Sequence, residues 1–175
     1  MLLQTSRLIL EPCSFEHLEL LSRDEAEFSR RFGYGVAPGY LEFPDSLVYS
    51  LKVLEDNPEP GPWLAPYLIV HREDGAVIGM GGYKSPPDDH GVIEIGYGIA
   101  PAYRGRGLAT EFVRALVPNA FRYDEVKVVR AHTLPQFNAS NKVLLNCGFR
   151  KNGDVLDPID GKVWRWEVSR KEFSG

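Results

Sequence analysis

Apolar residues along this chain alternate in short runs and recur at helical spacing in longer ones, which predicts a mixed sheet with helices packed on it. Leu8 and Leu10 occupy alternate positions, so we expect a first strand that ends at Pro12. Ser14 has the side chain of an N-cap residue, and the apolar stripe after it predicts one helix over about 15–28. The N-terminal part is therefore predicted to be a strand followed by a helix.

The middle of the chain is predicted to contain a loop, a short helix and three strands. Residues 30–40 are rich in glycine and aromatic residues and have no period, which favours a loop. Leucines at helical spacing predict a helix over 46–55, and a proline-rich turn follows it. Strands over 63–71 and 76–83 are expected to form a hairpin through the turn REDG, and 92–99 is the next predicted strand.

The strongest helical pattern lies over 108–121 and is apolar on two sides, so this helix is expected in the middle of a domain. Pro118 falls inside the pattern and is expected to kink or end the helix near Ala115. The remaining predicted elements are a strand over 126–133, a helix over 139–147 with Gly148 as its C′ residue, and strands over 149–156 and 162–169, which meet at the turn DPIDG. The predicted order is β-α-α-β-β-β-α-β-α-β-β, and residues 1–175 are expected to form one domain.

Composition and charge narrow the possible functions. With 43% hydrophobic and 25% charged residues, the chain has the balance of a soluble globular protein. No apolar segment approaches the length of a membrane span and the N-terminus does not resemble a signal peptide, so we expect a cytoplasmic protein without a membrane partner. The net charge of −4 argues against nucleic acid as a partner and fits a cationic substrate.

Neither the cysteines nor the histidines show a metal-binding or disulfide pattern. Cys13 and Cys147 lie far apart, and the four histidines lack HxxxH or HExxH spacing. We therefore expect two buried thiols and no metal site.

The segment GYGIAPAYRGRGLATEF places two glycines and two arginines between a predicted strand and a predicted helix. Free N–H groups at a helix start and its dipole favour an anion, glycines let a phosphate approach the backbone, and Arg104 and Arg106 supply charge. The alternatives are an ordinary strand-to-helix turn and a dinucleotide-binding fingerprint. Thr110 in the third glycine position and the hairpin order of the preceding strands argue against the fingerprint. A P-loop is excluded because no Gly-Lys-Ser/Thr follows.

At this segment the chain resembles the GCN5-related N-acetyltransferases (GNAT), and within them the RimJ/RimL-like branch. Arg104-x-x-Gly107-x-Ala109 matches the family's Arg/Gln-x-x-Gly-x-Gly/Ala loop, and TSRLILEP, VIGMGGY, IEIGYGIAPAYRGRGLATE and ASNKVLLNCGF match its other marks in order. The resemblance implies the GNAT fold, an α/β (α+β) architecture around a central, mostly antiparallel sheet. It also implies an N-acetyltransferase that uses acetyl-CoA, without a metal, to acetylate a primary amine.

The resemblance also implies cofactor-binding residues. The strand at Gly98, Ile99 and Ala100 would bind the pantetheine arm. The backbone N–H groups that would hold the diphosphate belong to Arg104, Gly105, Arg106, Gly107, Leu108 and Ala109. Phe137 fills the position of the family's pantetheine-binding asparagine, so either Asn138 or Asn141 takes that part, and Asn138 is the preferred candidate.

Two residues are candidates for catalysis. Glu94 interrupts an apolar strand and shares a face with Gly96 and Gly98, so it is expected to accept the amine proton or to position a water that does; the alternative is a structural glutamate. Leu144 replaces the tyrosine that many relatives use to protonate the thiolate. Ser140 is the candidate for that part, and the alternative is a helix cap.

The acceptor remains open. A protein N-terminus or a small amine is expected, with no nucleic acid, and the protein could be a monomer or a homodimer. Residues 30–40 are expected to shape the acceptor site. Tyr83, Tyr97 and Tyr103 are expected in the core or at a rim, and the alternative is that they line the acceptor pocket. His132 is not expected to be catalytic. The rival interpretation is a non-catalytic acyl-CoA-binding or regulatory module on the same fold.

Overall fold

The computed structural model describes residues 1–42, 44–158 and 161–173, and these residues form a mixed sheet with helices on both faces. Its strands are β1 (Leu3–Gln4), β2 (Leu8–Pro12), β3 (Gly35–Val36), β4 (Tyr67–His71), β5 (Ala76–Tyr83), β6 (Val92–Ile99), β7 (Val128–Thr133), β8 (Arg150–Asp157) and β9 (Gly161–Ser169). Its helices are α1 (Phe15–Arg23), α2 (Glu25–Phe32), α3 (Pro44–Asp56), α4 (Gly61–Leu64), α5 (Leu108–Ala120), α6 (Ala139–Asn146) and α7 (Arg170–Phe173), and a 3₁₀ turn covers Pro101–Tyr103.

The strands lie in the order β1-β2-β4-β5-β6-β7-β9-β8 within the described part of the chain, and β3 pairs with β5. All neighbours in that order are antiparallel except β6 and β7, which run parallel. The predicted fold class, an α/β chain with a central and mostly antiparallel sheet, is confirmed. The predicted turn between β8 and β9 includes residues 159 and 160, which lie outside the described residues.

The N-terminal helix was predicted too long. Asp24 ends α1 with its N–H bonded to the Leu20 carbonyl, and its carboxylate accepts the Glu27 N–H to begin α2. The predicted loop over 30–40 is wrong in part for the same reason, because α2 continues to Phe32. The predicted Ser14 cap is confirmed, since its hydroxyl accepts the His17 N–H.

Two further boundaries differ from the sequence prediction. Trp63 belongs to α4 rather than to a strand, and its ring packs edge-on against Tyr83 and Tyr123. Helix α5 does not end near Ala115 but continues through Pro118 to Ala120. Pro118 is exposed, so the carbonyl that loses its usual N–H partner one turn earlier lies on the solvent side of the helix, where it is accessible to water.

Helix α5 packs across the sheet and carries the centre of the core. Phe112, Val113 and Leu116 are fully buried, and the Phe112 ring lies 6.0 Å from the Tyr97 ring of β6. The two-sided apolar pattern of α5 reflects this central position, as predicted. The start of α5 is thereby held rigidly at the end of β6, where the candidate site lies.

Candidate active site

Strands β6 and β7 diverge along their length. Their register pairs Val92–Glu94 with Val128–Arg130 and extends no further among the described residues, although β6 stays paired with β5 as far as Ile99. One edge of β6 beyond Glu94 therefore faces a gap between the two strands. A strand edge of this kind carries N–H and C=O groups that a ligand can bind.

The hydrogen bonds of β6 show which residues face that gap. The Lys84 N–H donates to the Glu94 carbonyl at 2.8 Å, and the Ala100 N–H donates to the Ile78 carbonyl at 2.7 Å. Because the backbone groups of successive strand residues point to opposite sides, the even-numbered residues between them, Gly98 included, point toward β5. The backbone groups of Tyr97 and Ile99 point into the gap.

The three residues predicted to bind pantetheine therefore differ in position. The Ala100 carbonyl accepts the Tyr103 N–H at 2.9 Å, so both backbone groups of Ala100 have partners, and Gly98 lies on the β5 side. Ile99 has the expected orientation, and Arg104 Nε donates to its carbonyl at 2.8 Å. Sequence reasoning missed the backbone of Tyr97; the hairpin register with β5 was the signal that could have shown it.

The predicted diphosphate loop has a backbone that only glycine adopts readily. Gly105 and Gly107 have φ values of 74° and 76°, in the left-handed region. Gly107 is the N-cap of α5, and none of the described side chains caps that helix. The first N–H groups of α5, at Leu108 and Ala109, therefore have no side-chain acceptor.

A third arginine lies at this loop, and sequence reasoning missed it. Arg7 Nη1 donates to the Arg106 carbonyl at 2.8 Å, and a Cβ atom on Gly107 would lie 3.7 Å from Arg7 Nη2. Arg7 Nε donates to Glu111 Oε2 at 2.7 Å, and Thr5 Oγ1 donates to Glu111 Oε1 at 2.6 Å. Glu111 thus fastens the segment before β2 to the first turn of α5, which fixes Arg7 beside the loop.

Glu94 lies on the predicted face of β6, together with two residues that sequence reasoning did not assign to the site. Glu94 Oε1 contacts Lys84 Nζ and lies 3.1 Å from His132 Nδ1. Both contacts are within ion-pair distance, but neither has the alignment of a hydrogen bond. His132, which was not expected to be catalytic, thus touches the candidate base.

Gly96 and Gly98 leave room for charged side chains on the same face. A Cβ atom on Gly96 would lie 3.4 Å from Lys84 Cε, and one on Gly98 would lie 2.8 Å from Glu42 Cβ. Glu42 in turn pairs with Arg104, whose Nη2 lies 3.1 Å from Glu42 Oε2. This face of β6 therefore carries no side chain at Gly96 and Gly98, and a charged side chain lies over each of the two glycines.

Helix α6 brings Ser140 to the other face of β6. Ser140 Oγ lies 3.0 Å from the Tyr97 hydroxyl, within hydrogen-bond distance. The alternative interpretation of Ser140 as a helix cap is wrong, because Asn138 is the N-cap and its Oδ1 accepts the Asn141 N–H. Burial raises the pKa of Tyr97 to about 12 although the bond to Ser140 opposes that rise, so Tyr97 keeps its proton at neutral pH.

Asn138 and Asn141, the two candidates for pantetheine binding, differ in how many of their side-chain polar atoms are already hydrogen-bonded within the protein. Asn141 is fully buried; its Oδ1 accepts the Asn138 N–H and its Nδ2 donates to Thr133 Oγ1. Its amide is therefore committed inside the protein, whereas Asn138 is partly exposed and only its Oδ1 is used by the cap. Leu144, in the position of the missing tyrosine, is fully buried.

The remaining tyrosines lie in the core and at a rim, as expected. Tyr83 is buried and donates to the Leu116 carbonyl at 2.8 Å. The Tyr103 hydroxyl donates to Asp74, and the Arg106 guanidinium lies over the Tyr103 ring.

Comparison with known proteins places the chain in a family. Residues 7–150 match the model of the acetyltransferase (GNAT) domain. The chain is 26% identical to the uncharacterized N-acetyltransferase YjdG of Bacillus subtilis over 155 residues, which are 86% of this chain and 90% of that protein. The chain therefore belongs to the GNAT acetyltransferase family, and it is an N-acetyltransferase.

Two solved structures share the fold. The ribosomal-protein-S5-alanine acetyltransferase of Vibrio fischeri superposes with a TM-score of 0.71 at 15% identity and covers 99% of this chain and 98% of its own. The aminoglycoside acetyltransferase AAC(6')-Ib in complex with coenzyme A superposes with a TM-score of 0.65 at 20% identity, covering 95% and 97%. Among the described residues of this chain, no helix is long and apolar enough to cross a membrane, and no group of three or more His, Cys, Asp or Glu could hold a metal ion.

Proposed function

We propose that the protein transfers an acetyl group from acetyl-CoA to a primary amine, by direct attack in a ternary complex, as an enzyme of the RimJ/RimL-like branch. The observation that carries this proposal is the open edge of β6 beside the uncapped, glycine-rich start of α5. The fold shared with AAC(6')-Ib, whose structure contains coenzyme A, supports the donor. The fold shared with the ribosomal-protein-S5-alanine acetyltransferase supports the branch. Residues 1–175 are proposed to act as one catalytic domain.

The residues present fit the shape and charge of acetyl-CoA. The amides of a pantetheine arm match the backbone groups of Tyr97 and Ile99 in the gap, and the partly exposed side chain of Asn138 is the candidate for a further hydrogen bond. The N–H groups from Gly105 through Ala109 suit a diphosphate at the start of α5, and Arg7 and Arg106 add charge there. The N–H of Arg104, which was also predicted to bind the diphosphate, donates instead to the Pro101 carbonyl at 3.2 Å. Acetyl-CoA supplies the activated acetyl group as a thioester.

Glu94 is proposed to take the proton that the amine loses when it attacks the thioester carbon, directly or through one water. The Lys84 ammonium lies against Oε1 of this carboxylate and holds it in place. Lys84 and His132 both lie on the Oε1 side, which orients the carboxylate while Oε2 remains for the amine. Lys84 and His132 are thus positioning residues for Glu94.

Ser140 is proposed to protonate the sulfur that leaves when the C–S bond breaks. Its hydroxyl donates to the thiolate, and the Tyr97 hydroxyl can replace that proton because the two oxygens lie 3.0 Å apart. Glu94 then releases the amine proton to solvent, and solvent returns a proton to Tyr97, so the net result is one proton lost by the amine and one gained by the sulfur. Many relatives carry a tyrosine on the helix at the position of Leu144. In this chain, Tyr97 on β6 is proposed to supply the phenol instead.

Thermal unfolding and thiol release test this function together. We expect acetyl-CoA to raise the melting temperature and CoA thiol to appear only when an acceptor amine is added. The acceptor panel should contain alkylamines, diamines, an aminoglycoside and short peptides with free N-termini. Stabilisation without thiol release for any acceptor would favour the non-catalytic acyl-CoA-binding module. The absence of stabilisation would refute the assignment of the gap.

A further inference from the structure

An ion pair between Glu42 and Arg104 lies directly over Gly98. Arg104 Nη2 and Glu42 Oε2 are 3.1 Å apart, and a Cβ atom on Gly98 would come within 2.8 Å of Glu42 Cβ. Gly98 therefore makes room for Glu42, a residue that has no part in the catalytic steps proposed above. Glu42 lies on the face of β6 that also carries Glu94, which is the acceptor side of the sheet.

The same guanidinium also holds the backbone of β6. Arg104 Nε donates to the Ile99 carbonyl at 2.8 Å, and that carbonyl points into the gap proposed for pantetheine. Arg104 is also the first residue of the proposed diphosphate loop. One guanidinium thus binds a carbonyl that the cofactor needs and a carboxylate on the acceptor side.

We propose that Glu42 binds a second cationic amino group of the acceptor, and that Arg104 withholds Glu42 until acetyl-CoA is bound. This inference rests on the proposed function. A diphosphate attracts the guanidinium more strongly than one carboxylate does. The side chains of Arg104 and Glu42 are 49% and 37% exposed, and ion pairs this exposed change an equilibrium constant by about fivefold or less, so the cofactor can break the pair.

The spacing along β6 indicates the length of the acceptor. Glu94 and the residue beneath Glu42, Gly98, are four positions apart, which is roughly 13 Å of strand. A reacting amine at Glu94 and an ammonium at Glu42 therefore define an elongated acceptor with two amino groups. The side chains of Glu94 and Glu42 extend toward the acceptor, so the distance between its two amino groups is shorter than the distance along the strand. Alkyl diamines with about six to ten carbons span that shorter distance.

Glu42→Gln tests the carboxylate, with Glu55→Gln as the matched control. Glu55 also pairs with a cation, Lys52 at 3.6 Å, and its replacement removes the same charge far from the gap. In the wild type and the control, we expect α,ω-diaminoalkanes to be used at least 10-fold better, in kcat/KM, than alkylamines of equal length. Glu42→Gln should raise KM for the diamines about 10- to 100-fold, the value of a charge-assisted hydrogen bond, with little change in kcat or in alkylamine kinetics.

Calorimetry tests the release of Glu42. We expect diamine to bind the wild type more tightly when CoA is present, and Glu42→Gln to lose this coupling while it binds CoA up to about fivefold more tightly. Equal use of diamines and alkylamines, no turnover of diamines, or an unchanged diamine KM in Glu42→Gln would each overturn the inference. A wild type that binds no CoA would instead refute the proposed function itself.

Discussion

Glu111 makes stability depend on pH in a way that the structure specifies. Burial alone would raise the pKa of Glu111, but hydrogen bonds from Thr5, Arg7 and Ser6 outweigh that effect and hold the pKa at about 2, against an ordinary value of 4.5. A difference of that size corresponds to about 3.4 kcal/mol of folding free energy. Arg7 is 46% exposed, and solvent screening of its charge lowers our expectation to about 1–3 kcal/mol.

The sign follows from proton linkage. The pKa is lower in the folded state, so the stabilisation is fully present above about pH 4.5 and is lost as the pH falls toward about 2. Glu111→Gln lacks this contribution at every pH. We therefore expect the variant to unfold about 1–3 kcal/mol more easily than the wild type at pH 7, and the difference to shrink as the pH falls through this window.

Urea unfolding at several pH values between pH 7 and pH 3 measures the difference. The control is Glu19→Gln, which removes an exposed pair with Arg23 and should cost less than about 0.5 kcal/mol at any pH. A difference between wild type and Glu111→Gln that stays constant down to pH 3 would refute the role of the ionised carboxylate.

Because Glu111 also fixes Arg7 at the loop, the variant should bind acetyl-CoA more weakly at neutral pH.

Four substitutions test the proposed site. Gly107→Val should abolish the stabilisation by acetyl-CoA, because φ is 76° at that position and a side chain would crowd the diphosphate loop; calorimetric affinity equal to that of the wild type would contradict the loop assignment. Glu94→Gln should lower kcat at least 100-fold with CoA affinity nearly unchanged, and a fully active variant would exclude an essential base there. Ser140→Ala and Tyr97→Phe should each slow transfer about 10-fold or more; if only Ser140→Ala does so, Tyr97 does not supply the proton.

Local patterns predicted most of the elements correctly because they depend on neighbours in sequence. Helix α5 and strands β5 and β6 begin where periodicity and turn residues predicted. The break between α1 and α2 also had a local signal, since Asp24 followed by Glu27 three residues later is the spacing of a helix N-terminus. Pro118 was misjudged because its effect depends on which side of the helix faces water, and that is set by packing.

The residues of the candidate site also fall into two groups, those that a local sequence pattern predicts and those whose position depends on tertiary packing. Glu94 and the glycine loop stand together in sequence, so their spacing predicts them. Arg7, Lys84 and Glu42 reach the site from distant segments and were missed, because their contacts depend on how the strands lie side by side. The choice of Tyr97 over Gly98 required the hairpin register between β5 and β6.

Because β6 diverges from β7, the sheet contains a seam, that is, a line along which the two strands are not hydrogen-bonded to each other. The parallel pairing joins Val92–Glu94 to Val128–Arg130, and beyond it the strands β7, β9 and β8 lie apart from the rest of the sheet. A pantetheine arm in the gap would act as a surrogate strand across that seam. The cosubstrate would then be a structural part of the sheet during turnover, and without acetyl-CoA the seam would stay open and the C-terminal strands would be more accessible to proteases.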